Sequence, residues 1–219
     1  MLSIGSFLNP AFQIVITMVV VLTIASILIS LAVTFYIYDY SSLYTLDWLN
    51  KLNIKKNSSI INIHAGFDET SESIQHKFSP KFFKIFDFYD PQKHTEISIK
   101  RARKRGYIFP GTKTIDTEKS QFNSQKVDYI FLLLAAHEIR NDGERITFFL
   151  KLQSLLNRDG KIIVAEHLRN IPNFFAYNIG TFHFFSKYKW KSTFEAAGFN
   201  TVSEIKINKF MTAFILNQE

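Results

Sequence analysis

Three histidines could carry out proton-transfer chemistry, because each lies close to the end of a predicted strand. They are His137, His167 and His183. Imidazole titrates near neutrality, so a histidine is suited to remove a proton from a hydroxyl or an amine at pH 7. Each histidine could also be a hydrogen-bonded structural residue. We predict that the three histidines form the catalytic set.

Charged side chains of both signs accompany these histidines, and the four nearest are Glu138, Arg140, Glu166 and Arg169. They could pair with one another. Histidine and glutamate together could also bind a metal ion, but the chain has no H-E-x-x-H spacing. It also has no cysteine, which excludes disulfides and thiolate ligands. We predict no metal site.

The stretch "IINIHAGFDET", residues 60–70, reads as a buried strand, a tight loop and a helix start. Gly66 is its single glycine. A glycine at such a loop lets the backbone pass close to a ligand, since no β-carbon intrudes. Asp68 or Thr70 could cap the free N–H groups of the helix. The stretch alone is compatible with a cofactor loop and with an ordinary turn.

Short β-rich runs alternate with helical stretches after residue 57, which is the pattern of an α/β fold. The predicted helices include 90–105, 144–156 and a third ended by Gly198. In the second of these, the spacing of the apolar residues predicts a buried face formed by Ile146, Phe149, Leu150 and Leu156. "NRDG", 157–160, predicts a turn. The predicted strands before the chain end are 59–63, 83–89, 112–116, 127–136 and 161–166.

The chain end carries two strand-like runs, 201–207 and 211–216, separated by three residues. So short a connection joins neighbouring strands only in the antiparallel sense, because a parallel crossover needs a dozen or more residues. The sequence therefore predicts a mostly parallel sheet that ends in a hairpin. An all-parallel nicotinamide-binding fold is disfavoured.

Residues 1–38 contain no charged side chain. As a helix, 11–38 would extend about 42 Å, enough to cross a bilayer core of about 30 Å once with some tilt. We predict a single-pass membrane anchor, with a cleaved signal peptide or a buried helix as alternatives. The first basic residues, Lys51, Lys55 and Lys56, follow the span, which predicts a cytoplasmic C-terminal domain. Residues 39–56 are predicted as a juxtamembrane linker, either at the headgroup boundary or as an amphipathic helix.

The net charge of +7 lies after the anchor, which suggests attraction to anionic lipid. Its densest run is "KRARKRG", 100–106. This run fits a solvated helix end, with a lipid or nucleic-acid patch as the alternative. No aromatic residue interleaves it, so we predict no nucleic-acid partner. The sequence does not indicate an oligomeric state.

The order of these elements resembles the class I S-adenosylmethionine-dependent methyltransferases over residues 57–217. "NIHAGFD" occupies the position of the family's D-x-G-x-G-x-G loop, with His64 and Asp68 in place of two glycines. "IDTEKSQFNSQKVD", 115–128, is similar to a second family stretch, and "LLLAAHEIR", 132–140, to the end of its fourth strand. The resemblance implies a Rossmann-like, doubly wound, seven-stranded α/β sheet in residues 57–219.

The resemblance also implies S-adenosyl-L-methionine as the cofactor. In the family, the residue matching Asp87 accepts hydrogen bonds from the ribose, and the residue matching Asp116 accepts one from the adenine amino group. Leu133 and Leu134 would line the methionine end. The cofactor-binding residues predicted in this way are Asn62, His64, Ala65, Gly66, Asp68, Asp87, Phe88, Asp116, Thr117, Leu133 and Leu134.

The function we expect is methyl transfer to a small, lipid-soluble acceptor at the cytoplasmic face of the membrane. The acceptor class rests on the anchor and on an aromatic run in the region where the family builds its acceptor pocket. That run could equally be core or membrane-facing packing. The alternative function is a catalytically inactive, methyltransferase-like, membrane-tethered binding protein, which the altered glycine loop favours. The aromatic run comprises Phe174, Phe175, Tyr177, Phe182, Phe184 and Phe185.

Overall fold

A computed structural model describes residues 9–93, 103, 108–119, 122 and 125–217 of the chain. Its centre is a seven-stranded sheet with the strand order β3-β2-β1-β4-β5-β7-β6. All pairings are parallel except those of β7, which is antiparallel to both β5 and β6. The predicted closing hairpin is therefore confirmed. The strands are β1 Ser59–His64, β2 Phe82–Asp87, β3 Lys113–Thr114, β4 Val127–Leu133, β5 Leu156–His167, β6 Thr201–Lys206 and β7 Met211–Asn217.

Helices cover both faces of the sheet, so it is doubly wound. Successive residues of β4 point to opposite faces, because Ile130 and Leu132 join one core cluster while Phe131 and Leu133 join the other. Helices α3 and α5 pack on the first face, and α2 packs on the second. The helices are α1 Pro10–Phe35, α2 Ser71–Phe78, α3 Asp142–Ser154, α4 Ile171–Tyr177 and α5 Lys187–Ala196.

Helix α1 continues through a π-helical turn, Tyr36–Tyr40, and the combined helix is the one candidate for a membrane span in the described part of the chain. No residue of α1 is buried, which excludes the alternative of a core helix. Its far end is fixed to the domain, because Ile37 is fully buried in a cluster with Leu43 and Met211.

The segment 39–56 packs on the sheet through its apolar residues. Leu46, Trp48 and Leu49 are buried in the second core cluster, and a 3₁₀ helix runs over Asp47–Leu52. The Trp48 indole N–H donates to the Leu43 carbonyl oxygen. These aromatic and apolar residues therefore cover the second face of the sheet, and the helix in this linker is a short 3₁₀ helix whose Trp48 and Leu49 are buried.

The buried face of α3 differs from the predicted one. Phe148, Phe149 and Leu152 are buried, whereas Leu150 is exposed. The face is displaced because Arg145, a charged residue, is fully buried and donates to the carbonyl of Ile139 and to the Asp142 carboxylate. Counting apolar residues alone misses such a paired cation.

The predicted turn at 157–160 lies inside β5. Val127 pairs with Leu156, and Tyr129 pairs with Lys161, so the intervening residues form an irregularity within the strand. The space beside Gly160 is tight, because an added β-carbon would lie 3.0 Å from Leu156 Cβ. The predicted helix over 90–105 lies mostly outside the described residues, as does most of the run 100–106.

Candidate functional site

The carboxyl ends of β1, β4 and β5 meet around a cavity of about 260 Å³. Parallel strands place their ends at one edge of the sheet, where open α/β folds bind ligands. The cavity brings all three predicted catalytic histidines together with four of the predicted cofactor residues. Its lining comprises Tyr38, Tyr44, His64, Ala65, Phe67, Glu69, Thr70, Leu133, Leu134, His137, Glu138, His167, His183 and Phe184.

His137 lies between two buried carboxylates. Its Nδ1 is 2.7 Å from Glu166 Oε2, and its Nε2 is 3.2 Å from Glu138 Oε1. Burial would lower the pKa of His137, but the charges and hydrogen bonds of these glutamates outweigh it and raise the pKa to about 10. At neutral pH His137 is therefore an imidazolium that donates on both sides.

Glu138 and Glu166 differ in how many of their oxygens accept hydrogen bonds. Both Glu166 oxygens face His137, one accepting from its backbone N–H at 3.1 Å and one from its ring. Glu138 Oε2 is buried and accepts no hydrogen bond from the described residues. Burial raises the pKa of Glu138, but the hydrogen bond and charge of His137 prevail and the net pKa is lowered. Glu138 therefore offers an ionised oxygen to a cavity ligand.

His167 is neutral and has a partner at each ring nitrogen. Burial lowers its pKa to about 4. Asn173 directs its amide N–H groups to the carbonyls of Leu168 and Phe210, so its Oδ1 faces His167 Nδ1 at 3.4 Å. Nδ1 thus carries the ring proton, and Nε2 accepts from the Tyr38 hydroxyl at 3.1 Å. These bonds favour a positioning role for His167.

His183 completes the cluster, with its ring 5.3 Å from that of His137. Arg140 donates to the His183 carbonyl at 2.7 Å, and its other terminal nitrogen contacts both His183 ring nitrogens. Donor atoms of His137, Glu138 and His183 lie within 4.8 Å of one another, a set that could bind a metal ion. Because Arg140 occupies the His183 nitrogens and both His137 nitrogens face carboxylates, the arrangement favours a hydrogen-bonded cluster.

The loop after β1 has the backbone that its glycine predicts. Gly66 has a φ of +86°, in the left-handed region that favours glycine. A β-carbon there would lie 2.6 Å from Arg103 Nη1 and 3.0 Å from Tyr89 Cβ. The space over Gly66 is thus a narrow cradle, filled by the Arg103 side chain.

The residues that replace two glycines in this loop are buried. His64 is 6% exposed, and neither ring nitrogen has a hydrogen-bond partner among the described residues. Burial lowers the pKa of His64, against the opposing charges of Asp68 and Asp87. Asp68 Oδ1 accepts the backbone N–H groups of Thr70 and Ser71, so Asp68 caps α2. Asp68 Oδ2 lies 3.9 Å from His64 Nε2 and has no hydrogen-bond partner in the described part of the chain.

Asn62 and Asp87 have defined partners. Asn62 is buried and outside the cavity lining, and its amide donates to the hydroxyls of Thr70 at 3.1 Å and Ser71 at 2.8 Å. Asp87, at the end of β2, accepts from Tyr89 N at 2.9 Å and from Arg103 Nη1 at 2.8 Å. The Arg103 guanidinium also lies over the Tyr89 ring, 4.4 Å from its centroid.

A second cavity, of about 270 Å³, lies beyond β2 and β3 and includes Phe88, Asp116 and Thr117 in its lining. Asp116 Oδ1 accepts the backbone N–H groups of Glu118 and Lys119, which lowers the pKa of Asp116. Four of the predicted cofactor residues therefore line the first cavity and three the second, whereas Asn62, Gly66, Asp68 and Asp87 line neither.

Sequence reasoning missed four residues of the first cavity's wall: Tyr38, Tyr44, Phe67 and Glu69. Phe184 belongs to the aromatic run that was considered for the acceptor pocket, and it lines the cavity. The Tyr44 hydroxyl donates to Glu69 at 2.6 Å. Tyr38 was assigned to the apolar span itself, and Tyr44 to the linker predicted either at the headgroup boundary or as an amphipathic helix. Arg103 was also missed, because it lies in a basic run.

Comparison with known proteins identifies the fold. No family model matches the chain, and no curated protein does. Among solved structures, an S-adenosylmethionine-dependent methyltransferase from Aquifex aeolicus is 14% identical with a TM-score of 0.51, and the match covers 80% of this chain and 92% of that one. A riboflavin-derivative dimethyltransferase from Streptomyces davawensis is 9% identical with a TM-score of 0.58, covering 86% and 56%.

An O-methyltransferase family 2 protein from Planctomyces limnophilus, in complex with apigenin, is 12% identical with a TM-score of 0.56, covering 89% of this chain and 62% of that one. The match to an O-methyltransferase structure from Nostoc punctiforme covers 55% of that protein, so this chain spans about half of its length. Another similar structure, with a TM-score of 0.51, is a pericyclic reaction enzyme. These likenesses establish the class I methyltransferase fold, and the fold alone does not determine the reaction.

Proposed function

We propose that the protein transfers a methyl group from S-adenosylmethionine to a small, lipid-soluble acceptor at the cytoplasmic face of a membrane. One observation carries the proposal: a single cavity joins His64 and Ala65 of the glycine loop to the His137 cluster. Its wall includes Tyr38 and Tyr44, which follow the apolar helix.

The residues present fit the cofactor. S-adenosylmethionine carries a positive sulfonium and an ammonium, and Glu69 and Glu138 supply carboxylates to the cavity wall. The unpartnered His64 nitrogens and Asp68 Oδ2 would gain partners from a polar ligand. Asp87 stands at the end of β2, where a carboxylate suits ribose hydroxyls.

When bound, the cofactor supplies an electrophilic methyl carbon. Transfer of this carbon would form a bond to the acceptor's electron pair and break the carbon–sulfur bond, whose electrons would stay on sulfur. The protein must position the acceptor and accept its proton. We assign the proton to Glu138, whose ionised Oε2 accepts no hydrogen bond from the described residues, while the protonated His137 holds this carboxylate in place. His167 and His183 then hold the cavity wall, through Tyr38 and Arg140 respectively.

Two contacts support a membrane location for the acceptor site. Tyr38 of the apolar helix bonds to His167, and Asn178 Nδ2 donates to Ser26 Oγ in α1 at 2.6 Å. The helix therefore contacts the domain at two points, which disfavours a cleaved signal peptide.

The alternative is a binding protein without catalysis. Arg103 favours it, because the guanidinium fills the cradle over Gly66 and bonds to Asp87. Only 37% of the Arg103 side chain is exposed, but it is a flexible group that a ligand could displace. Both the methyltransferase and the non-catalytic binding protein would use the same cofactor site, but only the methyltransferase would form a methylated product.

The test is calorimetric titration of the full chain in detergent with S-adenosylmethionine. We expect binding below millimolar concentration, and its absence there would overturn the proposal. Gly66→Ala should weaken binding at least tenfold, because its β-carbon enters the cradle. Gly111→Ala is the matched control. Gly111 has a similar φ of +85°, but a β-carbon added there would have no atom within 4 Å.

Mass spectrometry of lipid extracts incubated with the protein and the cofactor would identify the acceptor. We expect a lipid-soluble species heavier by one CH₂ unit. Cofactor binding with no methylated product from any extract would favour the non-catalytic alternative.

A further inference from the structure

A second apolar element lies beside α1. Residues 170–184 follow β5, and the sequence from Asn170 to Ser186 contains no Asp, Glu, Lys or Arg. The large side chains of this segment are exposed to a degree unusual for a soluble surface: Ile171 is 73% exposed, Phe175 70%, Ile179 83% and Phe182 62%.

This segment runs along α1 in the opposite direction. Asn170, which caps α4, lines a groove with Tyr36 at the domain end of α1. Asn178, at the end of α4, bonds to Ser26. Ten helical residues separate Tyr36 from Ser26, which is about 15 Å along the axis. The tip of the segment thus lies well inside any bilayer that α1 crosses.

The backbone of the segment is suited to that environment. Helix α4 and the following 3₁₀ helix, Asn178–His183, form hydrogen bonds within themselves. Asn170 accepts the Asn173 N–H at the start of α4, and the Asn178 side chain is paired with Ser26. Lipid-exposed backbone requires such internal pairing, because the hydrocarbon core offers no other partners.

A basic groove of about 660 Å³ lies at the base of this segment. Arg169, Lys187, Lys206 and Lys209 line it, with Glu204 as the one carboxylate in the lining. Lys187 and Lys191 already neutralise Glu204, at 2.6 and 3.0 Å. Lys206 and Lys209 form no ion pair within the described ranges.

We propose that residues 170–184 insert into the bilayer leaflet nearest the domain, and that the basic groove binds the phosphate of an anionic phospholipid there. The proposal rests on the membrane location in the proposed function. Tyr36 places the groove at the end of the span, where headgroups lie, and lysines near an anionic surface each favour binding.

Insertion is tested with single-cysteine variants, since the chain has no cysteine of its own. Ile179→Cys and, as the matched control, Ile108→Cys are labelled with an environment-sensitive fluorophore in the full chain. Ile108 is 72% exposed and lies at the opposite side of the sheet, before β3. The protein is reconstituted in phosphatidylcholine and phosphatidylglycerol vesicles that carry nitroxide-labelled lipids.

We expect nitroxides within the acyl chains to quench the label at 179 and not the label at 108. Equal quenching at both positions, or none at 179, overturns the insertion.

The groove is tested with short-chain phosphatidylglycerol, added to the full chain in neutral detergent while the melting temperature is followed. In the double variant Lys206→Gln with Lys209→Gln, the lipid concentration needed for the same rise in melting temperature should increase on the order of tenfold. The control pair, Lys55→Gln with Lys56→Gln, removes the same charge from exposed residues that precede β1, at the amino end of the sheet.

Phosphatidylcholine and inorganic phosphate distinguish the sources of the anion. Equal stabilisation by inorganic phosphate, or equal loss in the control pair, overturns a lipid site. Cofactor titration of the same variants should be unchanged, so failure of the groove proposal is separable from failure of the proposed function.

Discussion

At the scale of single residues, the Arg103 side chain occupies the space over Gly66 and bonds to Asp87, both predicted cofactor residues. Its guanidinium bonds to Asp87 Oδ2, an oxygen expected to accept from the ribose. A partly exposed ion pair contributes about 0.2–1 kcal/mol. Arg103→Ala should therefore tighten S-adenosylmethionine binding by up to about fivefold, measured by calorimetry. Lys113→Ala, at an exposed lysine of β3, is the control. Weaker binding in Arg103→Ala would mean that the guanidinium contacts the cofactor.

The second prediction concerns the protonation state of His137. Because Glu166 and Glu138 hold its proton, the imidazole should remain protonated well above pH 8. Side-chain ¹⁵N NMR of histidine-labelled protein would follow it, with His137→Gln for assignment. Glu166→Gln should shift the titration to lower pH, whereas Glu72→Gln, at a residue 81% exposed, should not. A wild-type midpoint near 6.5 would contradict the assigned geometry.

Stability should also depend on pH. The His137 pKa is raised to about 10, so the folded state holds an extra proton between pH 6.5 and 10, and stability falls as pH rises through that window. The His167 pKa is lowered to about 4, so the unfolded state holds the extra proton between pH 4 and 6.5, and stability falls as pH drops. Thermal melts in detergent should therefore peak near pH 6.5. A monotonic rise to pH 9 would exclude the charged His137.

At the scale of elements, α2 depends on the cap that Asp68 provides. Asp68→Ala removes the acceptor for two backbone N–H groups and should lower the unfolding free energy by about 1 kcal/mol. Glu72→Ala, in the same first turn, is the control. Circular dichroism melts would compare them. Equal effects of the two substitutions would show that Asp68 acts through something other than the cap.

The elements also show what the sequence could predict. Continuous apolar runs predicted β4 and β5, and the short link to β7 predicted the reversed strand, because both are local signals. The buried face of α3 was mispredicted because Arg145 is buried with partners distant in the sequence, such as Thr193.

The residues of the candidate site also divide into those that the sequence could predict and those that it could not. The family resemblance predicted His64 and Asp87 as site residues, and residue type and position predicted His137; the structure places all three at or just after strand ends. Tyr38 was not, because its contact with His167 joins residues 129 positions apart. Whether a histidine can take part in proton transfer depends on which side chains already bond to its ring nitrogens. Those partners are distant in the sequence, and a single sequence does not reveal them.

At the scale of the whole molecule, orientation can be tested by labelling. With a cytoplasmic domain, Lys56→Cys should react with a membrane-impermeant maleimide in inside-out vesicles, and Asn9→Cys, before α1, should react in right-side-out vesicles. Reaction of both from the same side would mean that α1 does not span the bilayer.

In the membrane location that we propose, the bond between Tyr38 and His167 would link the tilt of α1 to the shape of the first cavity. The π-helical turn Tyr36–Tyr40 carries this contact, and Ile37 within it is fully buried. A thicker bilayer makes a long apolar helix stand more upright. Tilting α1 would move Tyr38 against the cavity wall, so cofactor affinity should vary with acyl-chain length in nanodiscs, and this protein would sense the thickness of the membrane that holds it.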